Sequence, residues 1–168
     1  MRAELYWISA APQGRLAIMP RPRGGDWLAD ELKSWQTAGV DVIVSLLRHE
    51  EITDLKLDHE PTLCEQLGIQ FISFPISDRG VPDSAEQYLQ LITQLEGKLR
   101  NGQGVGIHCR MGIGRSALLA ASLLVRAGHT VADAFSTIAN DRGMLVPDTD
   151  AQVAWMDSFA RDPRGLCG

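Results

Sequence analysis

The sequence predicts a single α/β domain in which helices flank a central, mostly parallel sheet of about five strands. A length of 168 residues suits one domain, here residues 1–168. The 45% apolar and 22% charged content is typical of a soluble globular protein. Short β-branched stretches alternate with longer stretches of helical periodicity, and this alternation places parallel strands side by side under helices.

The first elements predict a hairpin followed by a loop. Residues 5–8 and 16–19 are short apolar stretches typical of strands, and the Pro-Gln-Gly at 12–14 between them is typical of a turn. The Pro- and Gly-rich segment at 20–25 then predicts irregular structure.

The next part of the chain predicts a helix and two buried strands. Asp26 is in position to cap a helix with an apolar stripe at i, i+4 and i+7, and Gly39 ends it. Residues 40–47 and 69–74 are apolar and β-branched, as buried strands are, and weaker helical patterns lie between them.

The second half predicts one more strand among four helices. Ser84, followed three residues later by a glutamine, opens a long helix with a capping box. A short strand at 105–108 leads through a glycine-containing loop into a helix at 115–127, which is apolar nearly all round and therefore buried. Two further helices are predicted at 130–139 and 149–160.

The loop at 109–114 has the features of an anion cradle. Its successive N–H groups can point inward with a helix N-terminus behind them. Gly112 and Gly114 permit positive φ and close approach of the backbone to a ligand. Arg115 begins the helix, where its planar fork can bind two phosphate oxygens. We therefore predict a phosphate site.

Cys109 lies at the floor of this cradle. A helix N-terminus and a guanidinium lower the pKa of a thiol, so we expect a thiolate that attacks phosphorus. Ser116 can donate to that thiolate and ease its departure in a second step. The leaving oxygen needs a proton, and Asp78, on another loop after a strand, is the candidate general acid.

At this point the sequence resembles a known family. Residues 108–116, His-Cys-Arg-Met-Gly-Ile-Gly-Arg-Ser, resemble the His-Cys-x5-Arg-Ser/Thr signature of cysteine-dependent protein tyrosine and dual-specificity phosphatases. Residues 74–82 resemble the general-acid loop of that family. The resemblance is to compact members, spans roughly residues 25–160, and leaves the N-terminal hairpin and loop at 1–24 outside.

The resemblance implies roles for the site residues. Cys109 is the expected nucleophile, Arg115 the phosphate binder and Asp78 the general acid. His108 is expected to support the thiolate. No metal or organic cofactor is implied. The remaining expected phosphate contacts come from the backbone of Arg110, Met111, Gly112, Ile113 and Gly114.

Several alternatives are weighed against this interpretation. A Walker A loop needs glycine at position 109 and lysine at 115, and a rhodanese-type sulfurtransferase loop is typically one residue shorter. Phosphatases of the same mechanism that act on phosphoinositides usually carry extra lysines in this loop. Here the loop has Met111 and Ile113, and its one added cation is Arg110. An RNA 5′-end substrate gains no support from a net charge of −5. We predict a phosphatase of phosphotyrosine, and also phosphoserine or phosphothreonine, in proteins.

Some further residues have two interpretations. Gln152 either orients the hydrolytic water or completes a capping box with Thr149, and the latter is favoured. Cys64 is either a core residue or a redox partner of Cys109. Asp83 is assigned to helix capping. Three arginines are candidates to frame the mouth of the pocket: Arg79, Arg110 and Arg142.

Composition indicates the compartment of the protein and the partners that it binds. The three cysteines are too few for a disulfide framework and indicate a reducing compartment. The longest apolar stretch, residues 117–125, is far shorter than the roughly 20 residues of a bilayer span. We expect a cytoplasmic monomer that binds neither membrane nor nucleic acid.

Overall fold

The computed structural model describes residues 3–11 and 14–162, and its five strands form one sheet in the order β1-β2-β5-β3-β4. The hairpin strands β1 and β2 pair antiparallel, whereas β2, β5, β3 and β4 pair parallel. The predicted sheet and hairpin are therefore confirmed, although part of the 12–14 turn lies outside the described residues. The strands are β1 (Tyr6–Trp7), β2 (Arg15–Met19), β3 (Val42–Ser45), β4 (Gln70–Ser73) and β5 (Gly104–His108).

Seven helices and a short 3-10 turn, Gly25–Trp27, accompany the sheet in the described ranges. The helices are α1 (Leu28–Ala38), α2 (His49–Asp54), α3 (Glu60–Gln66), α4 (Ala85–Arg100), α5 (Arg115–Arg126), α6 (Val131–Arg142) and α7 (Asp150–Arg161). No helix in these ranges is both long and apolar enough to cross a bilayer.

The helix caps agree with the sequence in part. Ser84 caps α4, since its Oγ accepts a hydrogen bond from Gln87 N at 3.2 Å. The capping predictions at Asp26 and Asp83 are wrong. Asp26 lies within the 3-10 turn, which makes Trp27 the residue before α1. Ser84 occupies the cap position of α4, and the Asp83 carboxylate instead lies 4.0 Å from the Arg48 guanidinium.

The core lies on both faces of the sheet. One apolar cluster packs α4, α5, α6 and α7 against the first face, and a second packs α1 and α3 against the other. Every residue of α5 except Arg126 is buried, as its apolar circumference predicts. A helix enclosed in this way holds its N-terminus firmly under the loop that precedes it.

Strand register brings the functional loops together. His108 pairs with Met19 of β2 and with Ser45 of β3, and Ser45 pairs with Ser73 of β4. The four parallel strands therefore end at the same edge, and the loops that follow them meet there.

Candidate active site

The loop at 109–114 is shaped by two glycines that act differently. Gly112 has a φ of +72°, and a Cβ there would lie 2.6 Å from the Met19 carbonyl carbon and from Pro20 N. Position 112 therefore requires glycine, as predicted. Gly114 has a φ of −104°, so the expected positive φ is wrong at this position. Its restriction is space, because a Cβ would lie 3.0 Å from the Asp148 side chain.

The backbone of this loop presents unpaired donors. In the described part of the chain, the N–H groups of residues 110–114 have no acceptor within hydrogen-bond distance. The carbonyls of Met111 and Gly112 are turned the other way, where each accepts a hydrogen bond of 3.1 Å from the Arg142 guanidinium. Five unpaired donors on one tight loop are the pattern of an anion-binding nest.

Cys109 lies at the start of the loop and is only 2% exposed. Its Sγ is 3.3 Å from Ser116 Oγ in the first turn of α5, a distance at which the hydroxyl can donate to the sulfur. The predicted contact between these two residues is therefore present.

Arg115 is equally buried and is held by a carboxylate that sequence reasoning missed. Glu51 accepts from Nη1 at 2.8 Å and from Nη2 at 2.9 Å. Nη1 also donates to the Ile76 carbonyl at 2.8 Å. Arg115 Nε has no acceptor among the described residues. The guanidinium is therefore fixed in orientation while part of its fork remains available.

Burial and ion pairing act on Glu51 in opposite directions. Burial raises the pKa of the Glu51 carboxyl. Hydrogen bonds from Arg115 and from Arg48 N together lower it by more than burial raises it, so the net pKa lies below the ordinary 4.5. The carboxylate is therefore ionised at neutral pH and provides a permanent counter-charge for Arg115.

Asp78 lies on the loop after β4 and reaches the same guanidinium. Its Oδ1 is 3.1 Å from Arg115 Nη2, although 56% of the Asp78 side chain is exposed. The next two residues anchor the loop. Arg79 pairs with Asp148 at 3.4 Å, and the Gly80 carbonyl accepts from Gln152 Nε2 at 3.0 Å.

His108 is tied to a second carboxylate that sequence reasoning missed. Its Nε2 is 2.7 Å from Glu60 Oε1, and both side chains are buried. The His108 Nδ1 atom has no partner among the described residues. No spacing rule connects Glu51 or Glu60 to the Cys109 loop, and only the packing of α2 and α3 brings them there.

Two residues with alternative interpretations now have defined contacts. Gln152 forms the favoured capping box with Thr149, and its amide also reaches the Asp78 loop as described above. Arg142 supports the loop carbonyls and stacks over the Tyr6 ring at 4.1 Å instead of pointing freely into the mouth.

Cys64 lies in the apolar cluster on the far side of the sheet from the cluster that contains Cys109. Both thiols are free in this structure. Burial, with a smaller contribution from Glu60, raises the pKa of Cys64 to about 12. These surroundings agree with the core interpretation of Cys64.

Comparison with known proteins identifies the family. A family model described as "Polymorphic toxin system, DSP-PTPase phosphatase" matches residues 17–129. Cyclin-dependent kinase inhibitor 3 of Sus scrofa is 31% identical over 132 residues, which cover 77% of this chain and 60% of that protein. The chain thus spans about 60% of the length of the first curated relatives that it matches.

Solved structures show the same fold. A crystal structure of kinase associated phosphatase, with its catalytic-site cysteine replaced by serine, superposes with a TM-score of 0.87 at 22% identity, covering 95% of this chain and 94% of that one. The Tk-PTP phosphatase in a mutant form gives a TM-score of 0.71 at 26% identity over 86% of this chain and 89% of that chain. From its sequence match, its sheet topology and its Cys109 loop, the chain belongs to the DSP-PTPase phosphatase family.

Proposed function

We propose that this protein hydrolyses phosphotyrosine, and also phosphoserine or phosphothreonine, in protein substrates through a phosphocysteine intermediate. The observation that supports this most directly is the set of unpaired N–H donors at 110–114, together with Arg115 Nε, around Cys109 Sγ. A tetrahedral phosphoryl group offers three oxygens to such donors while its phosphorus faces the sulfur.

The first step transfers the phosphoryl group to the enzyme. An incoming phosphate oxygen replaces the Asp78 carboxylate on Arg115 Nη2 and also accepts from Nε. The Cys109 thiolate attacks phosphorus, the P–S bond forms, and the bond from phosphorus to the ester oxygen breaks. The protonated Asp78 carboxyl, displaced toward the leaving group, donates its proton to that oxygen.

The second step regenerates the enzyme. Water attacks the phosphocysteine and gives a proton to the Asp78 carboxylate, the P–S bond breaks, and inorganic phosphate leaves. The electron pair returns to Cys109 as a thiolate, and the Ser116 hydroxyl at 3.3 Å stabilises it. Throughout both steps Glu51 keeps the Arg115 fork aimed at the phosphoryl oxygens.

The experiment that tests the reaction is turnover of an aryl phosphate by Cys109→Ser. We expect no turnover by a variant that melts at the wild-type temperature, and retained activity would disprove the nucleophile. Asp78→Ala should slow substrates with poor leaving groups far more than those with good ones. Equal loss on both would remove Asp78 as the acid.

The substrate class is tested with a panel. Phosphopeptides should be hydrolysed faster than phosphoinositides, and a thiosulfate:cyanide assay should show no sulfur transfer. The enzyme is proposed to act as a cytoplasmic monomer without a metal or organic cofactor, so activity should survive EDTA. Loss of activity with EDTA would contradict the metal-free mechanism.

A further inference from the structure

A cavity of about 370 Å³ opens beside the Cys109 loop. Three arginines line it: Arg21 and Arg23, from the segment after β2, and Arg110, the first residue after Cys109. The two walls are joined directly, since Arg21 N donates to the Arg110 carbonyl at 3.2 Å. The cavity therefore adjoins the first two residues of the loop that follows Cys109.

Two acidic side chains also line this cavity: Glu4, which forms no ion pair within the described ranges, and Glu31, whose Oε2 has no hydrogen-bond partner there. Glu31 is buried, and its Oε1 accepts from Arg23 Nε at 2.8 Å and from Arg23 N at 2.9 Å. Glu4 accepts from the Tyr6 hydroxyl at 2.9 Å. The Arg23 guanidinium is thus neutralised by Glu31.

Two guanidinium groups form no ion pair within the described ranges, although the charge of Arg110 also acts on Glu51 and helps to lower its pKa. Neither Arg21 nor Arg110 forms an ion pair within the described ranges, and the one side-chain contact of Arg21 is the Pro22 carbonyl at 3.1 Å. Both arginines line the cavity and are partly buried, so solvent screens their charges less than at a fully exposed position.

We propose that this cavity is a second anion subsite, which selects phosphoprotein segments with another anionic group close to the phosphoresidue. That group is a carboxylate or a second phosphoryl group, and Arg21 and Arg110 bind it through charge-assisted hydrogen bonds. The inference rests on the proposed function and specifies its substrate class.

The geometry of an extended peptide suits this arrangement. Arg110 directly follows Cys109, and neighbouring residues of an extended chain are roughly 3.3 Å apart along its axis. The proposed second anionic group is therefore placed one to three residues from the phosphoresidue. Met111, 59% exposed, also lines the cavity and offers apolar contact to a bound peptide. The apolar wall from Trp35, Pro20 and Pro22 favours a peptide over a highly charged inositol head group.

The test compares kcat/KM on four kinds of soluble phosphorylated substrate and on a bisphosphorylated phosphoinositide in vesicles. The soluble substrates are an aryl phosphate, a phosphotyrosine peptide with neutral flanks, the same peptide with glutamate scanned through three positions on each side, and the peptide with a second phosphoresidue. Wild-type protein should prefer a glutamate at one or two of these positions about tenfold over neutral flanks. A second phosphoryl group at the same positions should raise kcat/KM more than glutamate does. The preference should shrink as the salt concentration rises.

Arg21→Ala should abolish this preference and leave turnover of the aryl phosphate unchanged, whereas Arg21→Lys should retain part of it. The matched control is Arg100→Ala, which removes an exposed arginine at the end of α4, outside the cavity. Melting temperatures of all variants verify folding.

The outcomes separate the subsite from the reaction. Equal kcat/KM for neutral and acidic peptides, with the aryl phosphate hydrolysed, overturns the subsite and leaves the proposed function intact. Failure of wild-type protein on every substrate overturns the proposed function. A vesicle-borne bisphosphorylated phosphoinositide that is hydrolysed faster than all peptides, and that loses this advantage in Arg21→Ala, makes the occupant a lipid head group and overturns the peptide proposal.

Discussion

Removal of the Glu51 carboxylate is the sharpest test of how Arg115 is held. Glu51 accepts from both terminal nitrogens of a guanidinium that is 2% exposed. Glu51→Ala leaves that buried charge without its main partner, which typically costs about 3–5 kcal/mol. Native proteins are stable by only about 5–15 kcal/mol, so the loss would be a large part of the total.

The measurement is urea unfolding together with kcat/KM for an aryl phosphate. Glu50→Ala is the matched control, because Glu50 is the exposed neighbour and its ion pair with Arg48 is worth at most about 1 kcal/mol. We expect Glu51→Ala to lower both quantities and Glu50→Ala to change neither by much. A Glu51→Ala protein as stable as Glu50→Ala would refute the role assigned to the ion pair.

Acid provides an independent check on the same carboxylate. Because the folded pKa of Glu51 is below its ordinary 4.5, the stabilisation is fully present above about pH 4.5 and is lost as pH falls through the folded pKa. The difference in unfolding free energy between wild-type protein and Glu51→Gln should therefore shrink in acid. A difference that stays constant from pH 7 to pH 3 would contradict the shifted pKa.

Three further predictions concern the same site. Asp78→Asn should tighten vanadate binding several-fold, since the carboxylate no longer competes for Arg115 Nη2, and an unchanged inhibition constant would remove that competition. Arg142→Ala should raise the KM for an aryl phosphate about tenfold with little change in melting temperature, because two charge-assisted bonds to the loop carbonyls are lost. Iodoacetamide at pH 7 should label Cys109 and leave Cys64 unmodified, because the pKa of Cys64 is raised to about 12, and peptide mapping by mass spectrometry reads this out.

The sequence predicted those parts of the site that are local in the chain. Cys109, the glycines and Arg115 lie on one loop, so their spacing alone defines an anion cradle between a strand and a buried helix. The alternation of strands and helices also predicted the sheet, because hydrophobic periodicity reflects burial on each face.

Contacts between residues far apart in the chain could not be predicted from the sequence. Glu51 and Glu60 lie in weakly helical stretches, where a carboxylate is ordinarily solvated, and only tertiary packing buries them against Arg115 and His108. The prediction that Asp26 caps α1 was wrong for a similar reason. A 3-10 turn at Gly25–Trp27 makes α1 begin one residue later than expected.

The N-terminal hairpin and the loop after it lie outside the motif resemblance, although the family model reaches back to residue 17, and they contact the site from two sides. On one side Tyr6 stacks on Arg142, whose guanidinium fixes the carbonyls of the Cys109 loop. The neighbouring Ser9 N donates to Asp141 Oδ2 at 2.9 Å, which fastens this end of the hairpin to α6. On the other side Arg21 lines the cavity beside Arg110.

In the proposed site, one set of residues carries out the reaction and another set selects the substrate. In the proposed mechanism the donors that hold a phosphoryl group are backbone N–H groups and Arg115, and Glu51 balances the charge of that arginine, so a net charge of −5 does not oppose the proposed binding. Selection among phosphorylated substrates then depends on positive charges that form no ion pair with a carboxylate. Within the described residues that line the adjoining cavity, Arg21 and Arg110 meet this condition, and Arg21 lies near the N-terminal end of the stretch that the family model matches. Relatives that keep the Cys109 loop but have no arginine at the position of Arg21 should therefore share the reaction and differ in the peptides that they prefer.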